Sequence, residues 1–529
     1  MAAPTRISRN KGLKRDSLGL VSTVVIGVAS TAPAYSLAAT LGLVAAAVGF
    51  QTPAIMILAF VPMLLVSVAY YYLNRADPDC GTCFWWVTRA MGPQTGWMTG
   101  WAIIVADIVV MAALAQIAGH YTFILFGAEG LADSTFWVTV IGVLWIAAMT
   151  LICLLGIEVS ARTQVVLLTV ELIALGLFGV TALAKVYGSS PDGSVRPSWS
   201  WVNPFAIEST SAMTAGLLLG VFIYWGWDST TVVNEETRDS RRTPGRGAVL
   251  STLVLVGTFV FVAIAAQAFR GTDVLVEGSD DIFGAIGSQV LASPLDKLLV
   301  LAVLLSAAAA TLTTVLPAAR TSLSMSWHEA LPRRFGDVDP RWLTPAFATV
   351  VMGIVSVVWY VGLTLVSQNV LADSIAALGL MIAFYYGLVG FACPIFFRRQ
   401  LFKSAKNALL LGLLPTLGAL MLTAIFVRSA IDLAKPELSG SGTSWFGIGP
   451  PVVIASSFLV IGLTLMVLQW RHEPEFFKRP RQVADEPPPD HPGTVGARPS
   501  PVSDDDVRAR NERHRAEAEA RLRAPGQQH

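Results

Sequence analysis

Three carboxylates stand where a carboxylate is costly: Asp107, Glu171 and Asp228 each fall inside a long apolar run. Placing such a group at the centre of a membrane costs roughly 2.5–3.5 kcal/mol on insertion scales, so an intramembrane acid marks a candidate ion or substrate path. Apolar surroundings favour the neutral form of a carboxyl group, which would let any of the three carry a proton. The competing reading is structural, with each acid hydrogen-bonded to Ser, Thr or backbone of another helix. Ser306, Thr311, Thr313 and Thr314 offer hydroxyls in a further apolar run; they suit a cation or proton site, and equally the close packing of helices. His120 shares the run of Asp107, but at about 1.5 Å of rise per residue the two lie roughly 20 Å apart. They form no direct relay, and His120 belongs near the outer leaflet. The pair in Cys80-Gly81-Thr82-Cys83 reads as half a zinc site, a redox pair, or small residues in a tight loop; no second pair or nearby His accompanies it. No disulfide framework is implied. The six histidines are scattered, and no metal-ligand cluster, nucleophile–base pattern or phosphate-binding loop emerges, so neither an enzyme nor a cofactor is expected.

The elements that must position these groups are membrane helices. Hydrophobic residues make up 54% of the 529 and charged residues 14%, against about a quarter charged in soluble proteins. Twelve apolar segments can be drawn, at roughly 18–49, 52–74, 97–126, 136–156, 159–187, 211–233, 247–269, 297–318, 345–367, 371–397, 407–427 and 449–470. An even number puts both termini on one side. On that side fall Lys11, Lys14, Arg15, Arg75, Arg89, Arg162, Arg238, Arg241, Arg242, Arg246, Arg320, Arg333, Arg334, Arg341, Arg398, Arg399, Lys403 and Lys406. The opposite loops hold only Lys185, Arg196, Arg270, Lys297, Arg428 and Lys435. Lys and Arg concentrate in cytoplasmic loops, so both termini are expected in the cytoplasm. A net charge of +1 offers nothing to a nucleic acid. The first apolar run is too long for a cleaved signal peptide. The opposite loops 188–210, 271–296 and 436–448, rich in Gly, Ser, Pro and acids, read as solvated connections. Residues 471–529, with Pro487-Pro488-Pro489, read as a disordered tail. Its charged run 503–523 suits either a solvated helix or a contact with a partner or lipid headgroups.

The first segment exceeds the roughly 20 residues that a span needs, and it carries Gly27-Val28-Ala29-Ser30-Thr31-Ala32-Pro33-Ala34-Tyr35 at its middle. Pro33 removes a backbone donor and opens the helix. Opened backbone at that depth is tolerated only against protein or a water-filled cavity, so this is either half of a site or a kink without a ligand. Segments one to five and six to ten are of similar length, and an odd number of spans per half turns the second half upside down. Inverted repeats place the substrate where the first helix of each half is broken, which predicts a second break in segment six. There Gly226 lies between Trp225 and Trp227 and is followed by Asp228. Glycine reaches backbone angles that other residues resist. The indoles suit a gate over such a site or an anchor at the membrane boundary.

Three stretches carry a resemblance. Asp77 through Pro93 joins small residues, aromatics and a Gly-Pro step; Asn234 through Pro244 sets an acidic pair before a basic, proline-containing loop; and Arg320 through Pro332 leads into Arg341-Trp342-Leu343-Thr344-Pro345. Over roughly residues 12–470 the chain resembles the amino acid–polyamine–organocation (APC) superfamily of permeases. The resemblance implies an all-α polytopic membrane protein of twelve transmembrane helices. These would form a leucine-transporter-type 5+5 inverted repeat (17–187 and 211–398) and two peripheral helices (406–470), behind a cytoplasmic segment 1–16. It also implies that a substrate carboxylate meets backbone amides at Ser30, Thr31, Ala32 and Pro33, while the amine meets carbonyls at Phe222, Tyr224, Trp225 and Gly226. Helix ends supply the reason, since amide donors suit an anion and carbonyls a cation. Asp228 falls where relatives carry an acid implicated in the proton response. Glu171 falls where some cationic-amino-acid relatives carry a lysine that stands in for sodium, so the charge there is reversed. Where many relatives have Gly-x-Gly at the first break, this chain has Ser30-Thr31-Ala32-Pro33, and there specificity is expected to be set.

The expected function is that of a secondary transporter of the cytoplasmic membrane, importing an amino acid or related amine by alternating access, with proton coupling or exchange. Its partners would be the small-molecule substrate, a proton or counter-substrate, and membrane lipid. A polyamine or organic-cation permease is the nearest alternative, favoured by the three acids. A transporter-like sensor signalling through the tail is a further one.

Overall fold

A computed structural model describes residues 11–277, 282–366, 368–439 and 442–481 of the chain. The charged run 503–523 and the rest of the tail from 482 onward lie outside the described residues. The described chain is helical; its only β features are two isolated bridges. It opens with α1 (Leu20–Ser30), α2 (Pro33–Val48), α3 (Thr52–Ala76), α4 (Cys83–Met91), α5 (Pro93–Leu125), α6 (Glu129–Ala132), α7 (Thr135–Leu154) and α8 (Ile157–Gly188). Next come α9 (Thr210–Ile223), α10 (Ser229–Val232), α11 (Thr243–Glu277), α12 (Ile282–Val290) and α13 (Asp296–Trp327). The chain continues through α14 (Ala346–Val366), α15 (Gln368–Phe396), α16 (Ala405–Asn407), α17 (Leu414–Leu433), α18 (Pro450–His472) and α19 (Pro474–Phe477).

Local sequence explains many of these ends. Pro33, Pro53, Pro93 and Pro450 sit in the first turns of α2, α3, α5 and α18, where a missing N–H breaks no helical bond. The Ser209 hydroxyl accepts from Ala212 N at 3.0 Å and caps α9. Ten stretches among the described residues are long and apolar enough to cross a membrane, the first running from Leu20 to Ala76 across α1, α2 and α3. This is a multi-pass membrane protein. Of the most apolar stretch, 83% is buried in α5 and 78% in α13, against 28% in α18. The first two therefore form the centre of the bundle, and α18 faces outward.

Three expectations change. The connection 271–296 is not simply solvated: it contains α12, which buries Ile282, Phe283, Ile286 and Val290, an apolar stripe at helical spacing. The loop before α5 contains α4, held back on the chain by Trp86 Nε1 donating to Asp77 O at 2.9 Å and Trp85 Nε1 donating to Asp77 Oδ2 at 2.8 Å. Arg320 does not lie in a loop but inside α13, only 1% exposed. A charge can be buried there because the guanidinium forks onto Glu236, Nε to Oε2 at 2.6 Å and Nη2 to Oε1 at 2.9 Å.

The same end of the bundle carries a second charged knot. Lys11 Nζ lies 2.8 Å from Asp79 Oδ2 and 2.6 Å from Glu235 Oε1, with Cys80 Sγ at 3.4 Å. His328 contacts Asp79 through Nε2 at 3.0 Å and stacks on Trp85 with ring centroids 3.6 Å apart. Burial pushes the Asp79 carboxyl up, but the Lys11 ammonium and the His328 hydrogen bond outweigh it and hold it well below the usual carboxylate range. Burial lowers the ammonium of Lys11, yet Asp79 leads the neighbours that hold it well above its ordinary value. Burial likewise lowers His328, and Asp79 offsets this only in part. Beside this knot the backbone before α1 pairs with the segment after α10. Ser17 N and Leu18 N donate to Glu236 O at 2.9 and 3.1 Å, and Arg238 N donates to Leu18 O at 2.9 Å.

Removing one partner of a buried ion pair leaves the other charge uncompensated, at a cost of about 3–5 kcal/mol. E236M and R320M should each lower the melting temperature of the detergent-purified protein sharply, whereas the double variant E236M/R320M should recover much of the loss. A double variant as unstable as the sum of the singles would contradict this account.

Candidate functional site

The site forms where two helices stop inside the bundle. Helix α1 ends at Ser30, Ala32 takes left-handed angles (φ 49°, ψ 64°), and α2 starts at Pro33. The amides of Thr31 and Ala32 bond back to Val28 O and Ala29 O, both at 3.1 Å, closing α1. Side chains brace the turn: Thr31 Oγ1 donates to Gly27 O at 3.1 Å, and Ser36 Oγ donates to Thr31 O at 2.7 Å. The free N–H groups of this break therefore lie further along, at Ala34 and Tyr35. Ala34 N donates to Glu171 Oε1 at 2.7 Å, and Tyr35 N donates to Ser306 Oγ at 3.2 Å. The Ser306 hydroxyl in turn donates to the same Glu171 oxygen at 2.7 Å.

The second break separates α9 from α10 over Tyr224–Asp228. Gly226 has φ +117°, and a Cβ there would sit 2.6 Å from the Ser30 carbonyl oxygen. The two breaks thus touch backbone to backbone, and glycine is required by both angle and space. The hydroxyls of Ser30 and Ser229 close the same contact at 2.8 Å. The carbonyls of Phe222 and Gly226 accept from Trp225 N and Ser229 N, each at 3.0 Å. Tyr224 turns its hydroxyl to Met56 O at 2.9 Å.

Between the breaks lies a small cavity lined by Ser30, Trp225, Gly226, Asp228 and Ser229, and from neighbouring helices by Asp107, Thr314, Pro317 and Tyr385, with Ile103. Two of the three sequence-nominated acids, Asp107 and Asp228, thus meet at one cavity, and none of the residues lining it is basic. Asp107 Oδ2 has no hydrogen-bond partner among the described residues. Asp228 is held by phenols, accepting from Tyr386 at 2.8 Å and Tyr70 at 3.4 Å. The Trp225 indole N–H donates to the Tyr385 hydroxyl. Both candidate gate tryptophans are buried, Trp225 at 9% and Trp227 at 0% exposure, so neither lies on the outer surface of the bundle. Trp225 faces the cavity. Trp227 packs against Tyr70 and Tyr386 at centroid distances of 4.9 and 5.2 Å.

Glu171 and Ser306 lie apart from this cavity, at the start of α2. Thr311 Oγ1 bonds within its own helix to Ala307 O at 2.8 Å. Sequence reasoning missed Tyr70, Tyr385 and Tyr386. A signal was present, since a phenol inside an apolar run needs a partner for its hydroxyl, and here the partners are Asp228 and Trp225. It also missed the company of Cys80, which sits with Asp79, Glu235 and Lys11 rather than with Cys83.

The amino acid permease family model matches residues 18–471. The low-affinity putrescine importer PlaP of Escherichia coli K12 is 26% identical over 78% of this chain and 88% of its own. An uncharacterized transporter of Mycobacterium tuberculosis is 27% identical over 64% of this chain and 72% of its own. The branched-chain amino acid permease BcaP of Lactococcus lactis is 24% identical over 74% and 83%.

A methyl group at position 226 would meet the Ser30 carbonyl and force an unfavourable backbone angle, a strain of about 1–3 kcal/mol. G226A should therefore weaken ligand-induced thermal stabilisation more than G257A, since an added methyl at position 257 would meet nothing within 4 Å. Equal effects would remove the argument for break-to-break contact.

Proposed function

Because the chain belongs to the amino acid permease family, we propose that it is a secondary transporter carrying an amino acid or related amine by alternating access around its two helix breaks. Members of this family are transporters rather than enzymes. The observation that carries the reading is the break-to-break contact of Ser30 with Gly226 beside a cavity holding Asp107 and Asp228. Discontinuous helices that meet inside a membrane protein are where transporters place substrates and coupling ions. Two carboxylates and the faces of Trp225 and Tyr385 suit an ammonium group. The relatives include a putrescine importer and a branched-chain amino acid permease, and what they share is an amine.

Twelve spans follow when α1–α2 and α3 are counted separately and α9–α10 as one broken span. Five then fall in each half, 17–187 and 211–398, with two peripheral spans in 406–470. The Lys- and Arg-rich side is the cytoplasm, so both termini lie there and the membrane is the cytoplasmic one. Import begins with substrate entering from the opposite side. Asp228 and Glu171 are the coupling groups, with Asp107 completing the acidic cavity; substrate binding and protonation together permit the bundle to rock. The Lys11 knot and the pairing of Leu18 with Glu236 and Arg238 would hold the cytoplasmic side shut and part when it opens. A second reading, an organic-cation or polyamine permease, is favoured by the meeting of Asp107 and Asp228 at one cavity. Drive by protons or by exchange both fit this scheme.

Uptake into proteoliposomes tests it. D228N and E171Q should each abolish the pH dependence of uptake; if both leave it unchanged, the coupling scheme is wrong. Deleting residues 482–529, which begins beyond the buried Phe476 and Phe477 of α19, should leave uptake intact. Loss of a biological output with binding preserved after that deletion would point instead to a sensor that signals through its tail.

A further inference from the structure

The start of α2 presents an anion seat that is already taken. A helix of 16 residues has unpaired N–H groups and the positive end of its dipole at the first turn, which is how broken helices ordinarily receive an anionic substrate group. Pro33 has no N–H to offer, so the seat consists of the amides of Ala34 and Tyr35. Both are engaged from other helices: Glu171 of α8 takes the first at 2.7 Å, Ser306 of α13 takes the second at 3.2 Å, and the two side chains bond to each other at 2.7 Å. Glu171 is fully buried, and its other oxygen, Oε2, has no hydrogen-bond partner among the described residues. One oxygen is thus anchored and the other is open.

We propose that Glu171 is a specificity-determining residue, whose carboxylate stands in the seat that a substrate carboxylate would need, so that the protein selects amines lacking a carboxylate. The inference rests on the transport reading above and narrows its substrate class. A substrate carboxylate could reach the Ala34 and Tyr35 amides only by breaking the Glu171–Ser306 pair and bringing two like charges to one helix end. An ammonium meets the opposite situation. It finds an unpartnered oxygen on Glu171, another on Asp107, and Asp228 at the same cavity as Asp107.

The test compares each amino acid with its own decarboxylation product: ornithine with 1,4-diaminobutane, lysine with 1,5-diaminopentane, and leucine with 3-methylbutylamine. Binding to the full-length protein in detergent is read by thermal shift, and uptake is read in proteoliposomes. The wild-type protein should favour the amine of at least one pair by about tenfold or more, the equivalent of one lost charge-assisted hydrogen bond. E171A vacates the seat and should shrink or invert that ratio. E171Q keeps an acceptor oxygen against the Ala34 amide and should retain the discrimination against carboxylates. Should E171A fail to fold, S306A carries the test, since it frees the Tyr35 amide and should shrink the ratio in the same direction. Tighter binding of the amino acid member by the wild-type protein, or an unchanged ratio in folded E171A, overturns the proposal and leaves the transport reading standing. Binding of neither member of any pair overturns the transport reading and the proposal with it.

Discussion

A helix that stops inside a membrane leaves amides and carbonyls that water cannot reach, and each must find a partner within the protein. Much of this molecule is arranged around that requirement at two places. At the first break, Thr31 and Ala32 close the end of α1, and a glutamate and a serine from two other helices reach in to take the amides that start α2. At the second, a single glycine lets the backbone turn and lie against the Ser30 carbonyl. Neither break is self-sufficient, and this explains why α8 and α13 converge on the first and α3, α5 and α15 on the second.

The same requirement organises the charges. Inside the bundle two of the acids are held by neutral donors rather than by bases: Glu171 by an amide and a hydroxyl, Asp228 by Tyr70 and Tyr386. At the Lys- and Arg-rich end the opposite solution is used, with Arg320 forked onto Glu236 and Lys11 set between Asp79 and Glu235. The division separates interior acids on neutral donors from rim acids on bases. A carboxylate held by neutral donors keeps its donors replaceable, whereas a buried ion pair tolerates the loss of neither partner.

Much of this was legible in the chain. Proline at 33 and glycine between two tryptophans marked both breaks, because those residues alter the backbone wherever they occur. The apolar runs located the long helices, since lipid imposes a length. What escaped was everything fixed by partners distant in sequence. Arg320 read as part of the loop after a span because its compensating Glu236 lies on another element. Tyr385 and Tyr386 read as part of an apolar run because nothing local says that their hydroxyls face Asp228 and Trp225. The stripe of α12 was masked by the polar residues that flank it. The seat at Ala34 and Tyr35 lay slightly beyond the residues singled out, because where α1 would stop depended on which amides it could still satisfy.

The backbone pairing of Ser17 and Leu18 with Glu236 and Arg238 bears on how far this part of the molecule depends on side chains. It links the foot of one broken helix to the arm of the other through three peptide hydrogen bonds, and peptide groups are the same whatever side chains they carry. Substitutions on either arm therefore leave these three hydrogen bonds available, so this part of the link does not depend on which side chains the arms carry. Only proline, which deletes the N–H that makes the link, is barred from the donor positions.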